Sequence, residues 1–444
     1  MATLNAGQQL RGVTSGLVCR VESLVGEGGQ GEVFLAELNG QKVALKWYSD
    51  RMLRADRGLQ PRLQVAIDRG APSAQFLWPF ELVTLPDGSG LGYLMRLRRP
   101  GFEKIHRLLR QEVQPSFRVA ATLGCQLTGA LFALHSKGLV YQDLNPGNVF
   151  FDPESGDVEI CDNDNVDVDG APSVILGVPE YQAPEVVLRR AGPRRTTDLH
   201  SLAVMLYRIF MVGHPLIGRR ELEFTNLGDE QAARRLFGSE ARFVFDPADD
   251  SNRPIAGDHD AVLAHWAIYP RFLRDLFIRA FTEGLHDPSH GRIQETEWRR
   301  ALSQLRDSVV ECTHCRAENF YDPQRLARKE PSFECWSCGA PIGSGPPRIG
   351  IRRTGAQPRD APLHVVVLQA SAQLFAHHTA GSEYDFSAPT AELIGQPLAM
   401  RNLSGRPWSA VDNDASTAVL PGDAVALTHG LRIRFGRTEG EIKL

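Results

Sequence analysis

The sequence predicts an α+β fold, strands first and helices after, followed by a small four-cysteine module and an all-β sandwich. Three observations carry this. Residues 13–100 alternate apolar and polar positions around a glycine-rich turn, as antiparallel strands do. Residues 115–307 repeat their apolar positions at helical spacing. From about residue 361, short β-branched runs such as LHVVVLQA and LRIRFGR are separated by Gly and Pro.

Each element follows from local chemistry. GLVCRVESLVGEGGQGEVFLAEL and QKVALKWY read as strands. RADRGLQPRLQVAIDRG reads as a helix with Pro61 near its start. FRVAATLGCQLTGALFALHSKG is helical and Gly138 ends it. LHSLAVMLYRIFMVG is apolar nearly all round, which predicts a buried helix. PRFLRDLFIRAFTEGL and QETEWRRALSQLRDSV are amphipathic helices. The domains expected are 13–308, a cysteine module at 309–343, a Gly-, Pro- and Arg-rich linker at 344–360, and the sandwich at 361–444.

Composition narrows the function classes. The 444 residues are 42% hydrophobic and 23% charged, and the net charge is −4. No global basic field points to nucleic acid or to an anionic membrane. No apolar run reaches the roughly 18 residues that span a bilayer. MATLNAGQQLRGVTSG lacks the basic-then-apolar order of a secretory signal, so a cytoplasmic location is expected. Of seven cysteines, Cys19, Cys125 and Cys161 are scattered in apolar settings and read as buried thiols. Cys312, Cys315, Cys335 and Cys338 cluster, which argues for a metal in a reducing compartment.

Four motifs carry chemistry. Gly26-x-Gly28-x-x-Gly31 lets backbone amides approach phosphate oxygens. A strand, Glu32-Val33-Phe34-Leu35, follows it; a dinucleotide-binding turn needs a helix there. Val43-Ala44-Leu45-Lys46 places a lysine inside an apolar strand, where it needs an anionic partner. Asp143-Leu144-Asn145-Pro146-Gly147-Asn148 sets an acid five residues before an amide. The acid suits deprotonation of a hydroxyl nucleophile, and the amide carbonyl suits Mg²⁺. Val158-Glu159-Ile160-Cys161-Asp162-Asn163-Asp164 is a strand ending in acids, and Asp162 is a hard-oxygen ligand for Mg²⁺.

In this order the motifs resemble the signature of eukaryotic-like serine/threonine protein kinases, over about residues 15–307. Gly177-Val178-Pro179-Glu180-Tyr181-Gln182-Ala183-Pro184-Glu185 resembles the family segment ending in Ala-Pro-Glu. Asp198 matches the acid that braces the catalytic loop, and Arg292 the arginine that pairs with Glu185. The resemblance implies the α+β bilobal protein-kinase fold with ATP and Mg²⁺ as cofactors and a protein substrate. Gly26, Gly28, Gly31, Val33, Ala44, Lys46, Met95 and Leu97 would form the nucleotide site. Lys46 would clamp the α- and β-phosphates, Asp143 would act as base, and Asn148 and Asp162 would hold the metal.

The chain also departs from the family. Tyr141-Gln142 replaces His-Arg, Asn145 replaces a lysine, Asp-Asn-Asp replaces Asp-Phe-Gly, and Val178 replaces a threonine. Asp164 reads either as a second metal acid or as a turn residue. The helix over RADRGLQPRLQVAID has no Glu to pair with Lys46, and Asp68 is the acid it offers. A rival reading follows: a pseudokinase scaffold that binds nucleotide without transfer. Others are a kinase-fold enzyme acting on a small molecule and a zinc-ribbon nucleic-acid adaptor. The Asp-x-Asp motif, Trp78-Pro79 and the trailing cysteine module resemble bacterial kinases that accompany von Willebrand-A-type tellurite-resistance proteins and a metal-dependent phosphatase. That likeness implies those two partners and a stress-linked circuit.

Cys312-Thr-His-Cys315 and Cys335-Trp-Ser-Cys338 resemble a zinc ribbon, with four thiolates for a closed structural Zn²⁺ and His314 as a bystander. No dense basic or aromatic patch accompanies it, so nucleic acid is not expected as a partner. In the tail, Met400-Arg401-Asn402-Leu403-Ser404 and Pro421-Gly422-Asp423 resemble a forkhead-associated domain, which implies phosphothreonine recognition by Arg, Ser and Asn side chains.

Overall fold

In the computed structural model, strand periodicity sorts the first lobe into two faces. The structure describes every residue except 1–2, 172–176, 225, 227–228, 323–332, 343–344, 358–360, 370–371, 383, 396 and 413–414. Strands β1 (Gln9–Gly12), β2 (Val18–Glu27), β3 (Gly31–Leu38), β4 (Gln41–Tyr48), β5 (Glu81–Thr84) and β6 (Gly92–Met95) close a barrel in the order β1-β2-β3-β4-β6-β5. Successive residues of a strand point to opposite faces. Val43, Leu45 and Trp47 of β4 therefore join one buried cluster with Leu10, Val21, Phe34 and Leu94. Ala44 and Tyr48 join a second with Tyr93, Met95 and Leu63. Lys46 shares that second face and lies opposite Val33 on β3 and Tyr93 on β6.

Two helices, α1 (Asp50–Ala55) and α2 (Leu59–Arg69), separate β4 from β5. Pro61 sits in the first turn of α2, where its missing N–H costs no helical bond. β1 lies upstream of residue 13 and closes the barrel by pairing with both β2 and β5. The lobe therefore starts earlier than its alternation suggested.

The second lobe is helical where the sequence predicts it. Strand β7 (Glu103–Lys104) and helix α3 (Ile105–Leu109) precede α4 (Phe117–Ser136), which ends just before Gly138 at φ +68°. α4 is long and apolar enough to cross a bilayer by length and composition, although no run of the sequence suggested a span. Most of its apolar window (61%) is buried inside the fold, as in a core helix. Strands β8 (Leu139–Val140), β9 (Val149–Phe151), β10 (Val158–Ile160) and β11 (Asp167–Val168) flank the Asp143–Asn148 loop and the strand-end acids. Helix α5 (Pro184–Val187) carries Glu185, and α6 (Arg195–Met211) is buried over most of its length. Helices α7 (Glu230–Arg234), α8 (Asp260–Ile268), α9 (Arg271–Phe281), α10 (Glu283–His286) and α11 (Glu295–Asp307) follow in the chain.

Chain contacts divide the molecule into two compact units: 1–114, 126–262 and 277–295, and 115–125, 263–276 and 296–444. The second unit contains the hairpin β12 (Val309–Glu311) and β13 (Glu318–Phe320), then β14 (Arg348–Arg353) and β15 (His364–Val367). It continues with β16 (Gln373–Phe375), a helical turn α12 (Ala376–Thr379), β17 (Pro389–Ile394), β18 (Ala399–Asn402) and β19 (Trp408–Asp412). It closes with β20 (Ala415–Val419), β21 (Ala424–Ala426), β22 (Arg432–Arg434) and β23 (Thr438–Lys443). A six-stranded sheet (β15-β14-β23-β22-β19-β20) and a four-stranded one (β16-β17-β18-β21) share a single apolar cluster, including Ile349, Leu374, Met400, Trp408 and Ile442. The sandwich thus includes residues read from the sequence as linker. Arg348–Arg353 buries Ile349 and Ile351 and pairs on both edges, with β15 and β23. The Gly, Pro and Arg around those two isoleucines masked the strand. Residues 344 and 358–360 of the expected linker lie outside the described residues.

Candidate active site

The three glycines of the first motif have different reasons to be glycine. A Cβ on Gly31 would meet the Trp47 carbonyl oxygen at 2.0 Å, so close strand packing requires Gly there. A Cβ on Gly26 would meet nothing within 4 Å, and one on Gly28 only the Gly31 oxygen at 3.9 Å. Those two leave an open backbone face, as a phosphate cradle needs. Val33, Ala44, Met95 and Leu97 meet in one apolar cluster, suited to a flat aromatic ring. The segment after Met95 is pinned from below. Arg96 and the Arg99 side chain both pair with the fully buried Glu159 of β10, and Arg99 N–H donates to Glu159 Oε2 at 3.0 Å.

Lys46 is buried, with Nζ 2.8 Å from both carboxylate oxygens of Asp164 and 3.3 Å from Asp162 Oδ1. Burial pushes the ammonium pKa down, but Asp164 and then Asp162 outweigh it, and the net shift is upward. Lys46 stays charged. Asp164 also accepts from Tyr48 Oη at 2.8 Å and Tyr93 Oη at 3.3 Å. Burial, then the Asp164 charge, hold both phenols well above their ordinary range, so they remain donors. Asp164 does lie in a turn, Asn163–Asn165, and with both oxygens on Lys46 it is that lysine's counter-ion and not a free metal acid. Asp68 is not. It is exposed and accepts from Gln64 at 2.9 Å on the outer side of α2.

Asp162 adopts the left-handed region, φ 50° and ψ 44°, uncommon for a non-glycine residue. Its side chain remains 37% exposed beside the buried lysine, which leaves oxygens for a cation. Asn163 is wholly buried and fastens the turn by donating to Leu77 O at 2.8 Å and Ile160 O at 3.1 Å.

Asp143 is held by three amides. Asn145 Nδ2 donates to Oδ1 at 2.9 Å, Asn148 Nδ2 to Oδ2 at 3.3 Å, and Asn165 Nδ2 to Oδ2 at 3.5 Å. Burial raises the carboxyl pKa, the Asn145 and Asn148 bonds oppose this, Asp162 adds to it, and the net shift is upward. A raised carboxyl is better matched to general-base work near neutrality. Asn148 spends its amide nitrogen on Asp143, which leaves its carbonyl oxygen for a cation. Asn145 also accepts from Gly147 N–H at 2.8 Å, so it fastens the loop where the family has a lysine. Gly177 has φ +60°, and a Cβ there would come within 3.0 Å of Asp143 Oδ1.

Behind the loop, Asp198 accepts from Tyr141 N–H at 2.6 Å and Gln142 N–H at 3.0 Å. His135 Nε2 lies 3.0 Å from Asp198 Oδ2, and its Nδ1 contacts Glu295. Arg292 Nη2 reaches Glu185 Oε2 at 2.8 Å and its Nη1 reaches Thr196 O at 2.7 Å. Sequence reasoning missed Gln30, whose Oε1 accepts from Lys46 at 2.8 Å and whose Nε2 donates to Asn165 Oδ1 at 3.1 Å. It also missed Asn165 and the Arg96–Arg99–Glu159 cluster.

In the second unit, the four module cysteines come together. Cys312 and Cys338 sulfurs are 3.8 Å apart, Cys315 and Cys335 sulfurs 3.6 Å, and all four lie within 4.8 Å of one another. A tetrahedron with Zn–S bonds of about 2.3 Å has edges near 3.8 Å, so the set fits the ion. His314 N–H donates to Cys312 Sγ at 3.4 Å and Asn319 Nδ2 to Cys335 Sγ at 3.5 Å, hydrogen bonds that favour the thiolate form. His314 contributes its backbone and the ring stays outside the sulfur set. In the sandwich, Asn402 is fully buried and donates inward to Arg406 O and Val419 O. It fastens a loop and is not a surface ligand. Arg401 pairs with Glu392 at 2.7 Å.

The buried strand lysine touches the strand-end acid directly and reaches the acid–amide loop through Gln30 and Asn165, an arrangement similar to that of nucleotide-dependent phosphoryl-transfer sites. Residues 94–252 match the protein kinase domain family. It is similar to the DNA damage-responsive serine/threonine-protein kinase RqkA of Deinococcus radiodurans, 31% identical over 44% of this chain and 30% of that protein. It is also similar to the serine/threonine-protein kinase pkn2 of Myxococcus xanthus, 29% identical over 45% of this chain and 25% of that protein. A third relative is serine/threonine-protein kinase Sgk1 of Xenopus tropicalis, 28% identical over 45% of this chain and 48% of that protein. The chain spans less than half the length of each of these three.

Proposed function

We propose that this protein is an ATP- and Mg²⁺-dependent serine/threonine protein kinase whose substrate is a protein partner. The observation that carries the reading is the contact chain from Lys46 through Gln30 and Asn165 to Asp143, with Asp162 beside it. Lys46 supplies the positive charge for nucleotide phosphates, Asn148 and Asp162 supply hard oxygens for Mg²⁺, and Asp143 accepts the hydroxyl proton. Val33, Ala44, Met95 and Leu97 hold the base. The bound nucleotide supplies the phosphoryl group; the residues supply position and charge.

The Cys312–Cys315–Cys335–Cys338 set takes structural Zn²⁺ in this reading, since four thiolates leave no open coordination position. The sandwich serves protein docking. The likeness to kinases that accompany von Willebrand-A-type proteins and a metal-dependent phosphatase supports a bacterial stress circuit with such partners. One observation favours a second reading, a nucleotide-binding scaffold: Asn145 replaces the cation expected near Asp143.

The test is transfer of labelled γ-phosphate to the protein itself and to a generic basic substrate, with Asp143→Ala and Asp162→Ala alongside. Incorporation lost in both variants supports the kinase. Nucleotide binding with no incorporation by the wild type supports the scaffold.

A further inference from the structure

Most of a buried lysine's usefulness to a nucleotide depends on what holds it. α2 offers Lys46 no acid. Its inward positions are the apolar Leu59, Leu63 and Ala66, and its acid Asp68 faces out. The holding carboxylate comes instead from the turn Asn163–Asn165, two residues beyond the metal acid. Asp164 is 3% exposed and has both oxygens on Nζ at 2.8 Å. Two buried phenols, Tyr48 on the same strand face as Lys46 and Tyr93 on β6, fix the carboxylate from the other side.

We propose that Asp164 is the positioning residue for the phosphate clamp, so that Lys46 and the metal acid Asp162 are set by one turn and not by a movable helix. The inference rests on the kinase-type nucleotide site proposed above. The turn is itself anchored by the buried Asn163 to Leu77 O and Ile160 O. Its two acids therefore keep a fixed spacing, one turned to the lysine and one left partly open. In this arrangement, displacement of α2 does not release Lys46, whereas disturbance of the turn releases the clamp and a metal ligand together. Control of this site then falls on ligands or partners that move the turn.

An ordinary counter-ion role would give Asp164 the same burial, so the test reads properties that stability alone does not move. Asp164→Asn keeps the shape and removes the charge. The full chain is titrated with Mg·ATP by calorimetry, independent of any transfer, and Lys46 acylation by an amine-reactive ester is followed against pH. Asp164→Asn is expected to weaken nucleotide binding about tenfold or more, the loss of one charge-assisted contact. It is also expected to shift the Lys46 acylation profile to lower pH. Tyr48→Phe keeps the charge and should give a smaller shift in the same direction. Asp68→Asn should match the wild type in both readouts. Unfolding midpoints identify a variant that fails to fold, and Tyr48→Phe then carries the test.

If Asp164→Asn folds and both readouts stay at wild-type values, the proposal is overturned. Equal weakening by Asp68→Asn also overturns it. A wild type that binds nucleotide but transfers nothing would sink the kinase reading and leave the clamp assignment to be decided by the same binding data.

Discussion

Gln30, at the tip of the glycine-rich turn, accepts a hydrogen bond from Lys46 Nζ at 2.8 Å. Its amide nitrogen continues to Asn165 at 3.1 Å, so one side chain ties the turn to both the lysine and the loop that reaches Asp143. An ammonium has three hydrogens. Asp164 engages Lys46 with both oxygens and Asp162 lies at 3.3 Å, so in the proposed nucleotide site a phosphate displaces one of these partners, of which only Gln30 is uncharged. A neutral amide is the weakest of the partners and is the one to leave.

Gln30→Ala is therefore expected to tighten nucleotide binding by roughly fivefold to tenfold, the equivalent of about one hydrogen bond. Titration with a fluorescent ATP analogue reads this directly. Unchanged or weaker binding would show that Gln30 helps hold the nucleotide and does not compete with it.

His135 gives the protein a pH signature. Burial pushes its imidazole pKa down, but hydrogen bonds to Asp198 and Glu295 overcome this and raise it from 6.5 to about 9. A raised folded-state pKa means the contribution is complete below 6.5 and fades as pH rises through about 9. Glu295 moves the other way. Burial opposes the shift, but His135 and Arg195 hold it down at about 2, so its contribution is present above 4.5 and fades as pH falls through about 2. The pair is jointly strongest between pH 4.5 and 6.5. Denaturant midpoints should fall between pH 6.5 and 9 in the wild type, and His135→Gln should flatten that slope. An equally steep slope in the variant would place the titrating group elsewhere.

The motifs were legible because their chemistry is local. Gly26 to Gly31, Val43 to Lys46, Asp143 to Asn148 and Asp162 to Asp164 are each compact in sequence, and hydrogen bonds through Gln30 and Asn165 connect Lys46 to Asp143. The partner of Lys46 was not legible. Asp164 is 118 positions away, in a turn that opens on a left-handed Asp162 and is anchored by the buried Asn163. Helical periodicity could show that α2 lacks Glu; it could not show that Asp68 faces water. β14 was hidden for a related reason: two buried isoleucines are a weak signal among Gly, Pro and Arg, and neighbouring strands on both edges supply the rest.

The glycines of the loop separate folding from binding. Gly31→Ala places a methyl 2.0 Å from the Trp47 oxygen, and backbone there cannot yield cheaply. The expected cost is about 1–3 kcal/mol, the usual range for overpacking. Gly28→Ala meets nothing closer than 3.9 Å and should leave stability within about 0.5 kcal/mol. Its methyl projects into open space at the phosphate cradle, so its effect should be on nucleotide affinity. Chemical denaturation and nucleotide titration of both variants check the split. Equal destabilisation by both would contradict it.

The four-cysteine set should behave as a folding element whose loss spreads. Asn319 donates to Cys335 Sγ and accepts from Trp336 N–H at 3.1 Å. The Trp336 indole donates to Glu318 O at 2.7 Å, and the Glu318 carboxylate accepts from the backbone N–H of Phe117 and Arg118 at the start of α4. Phe117 also stacks on Phe320, with ring centroids 5.0 Å apart. Metal removal frees the thiolates to repel one another and unfastens the hairpin that presents Glu318, leaving first-turn amides of α4 uncapped. One zinc per chain is expected by elemental analysis. A strong chelator, or Cys315→Ser with Cys338→Ser, should lower the unfolding midpoint and speed amide exchange at residues 117–120. Metal-free protein with unchanged exchange there would confine the ion to a local role in the β12–β13 hairpin and break the link to α4.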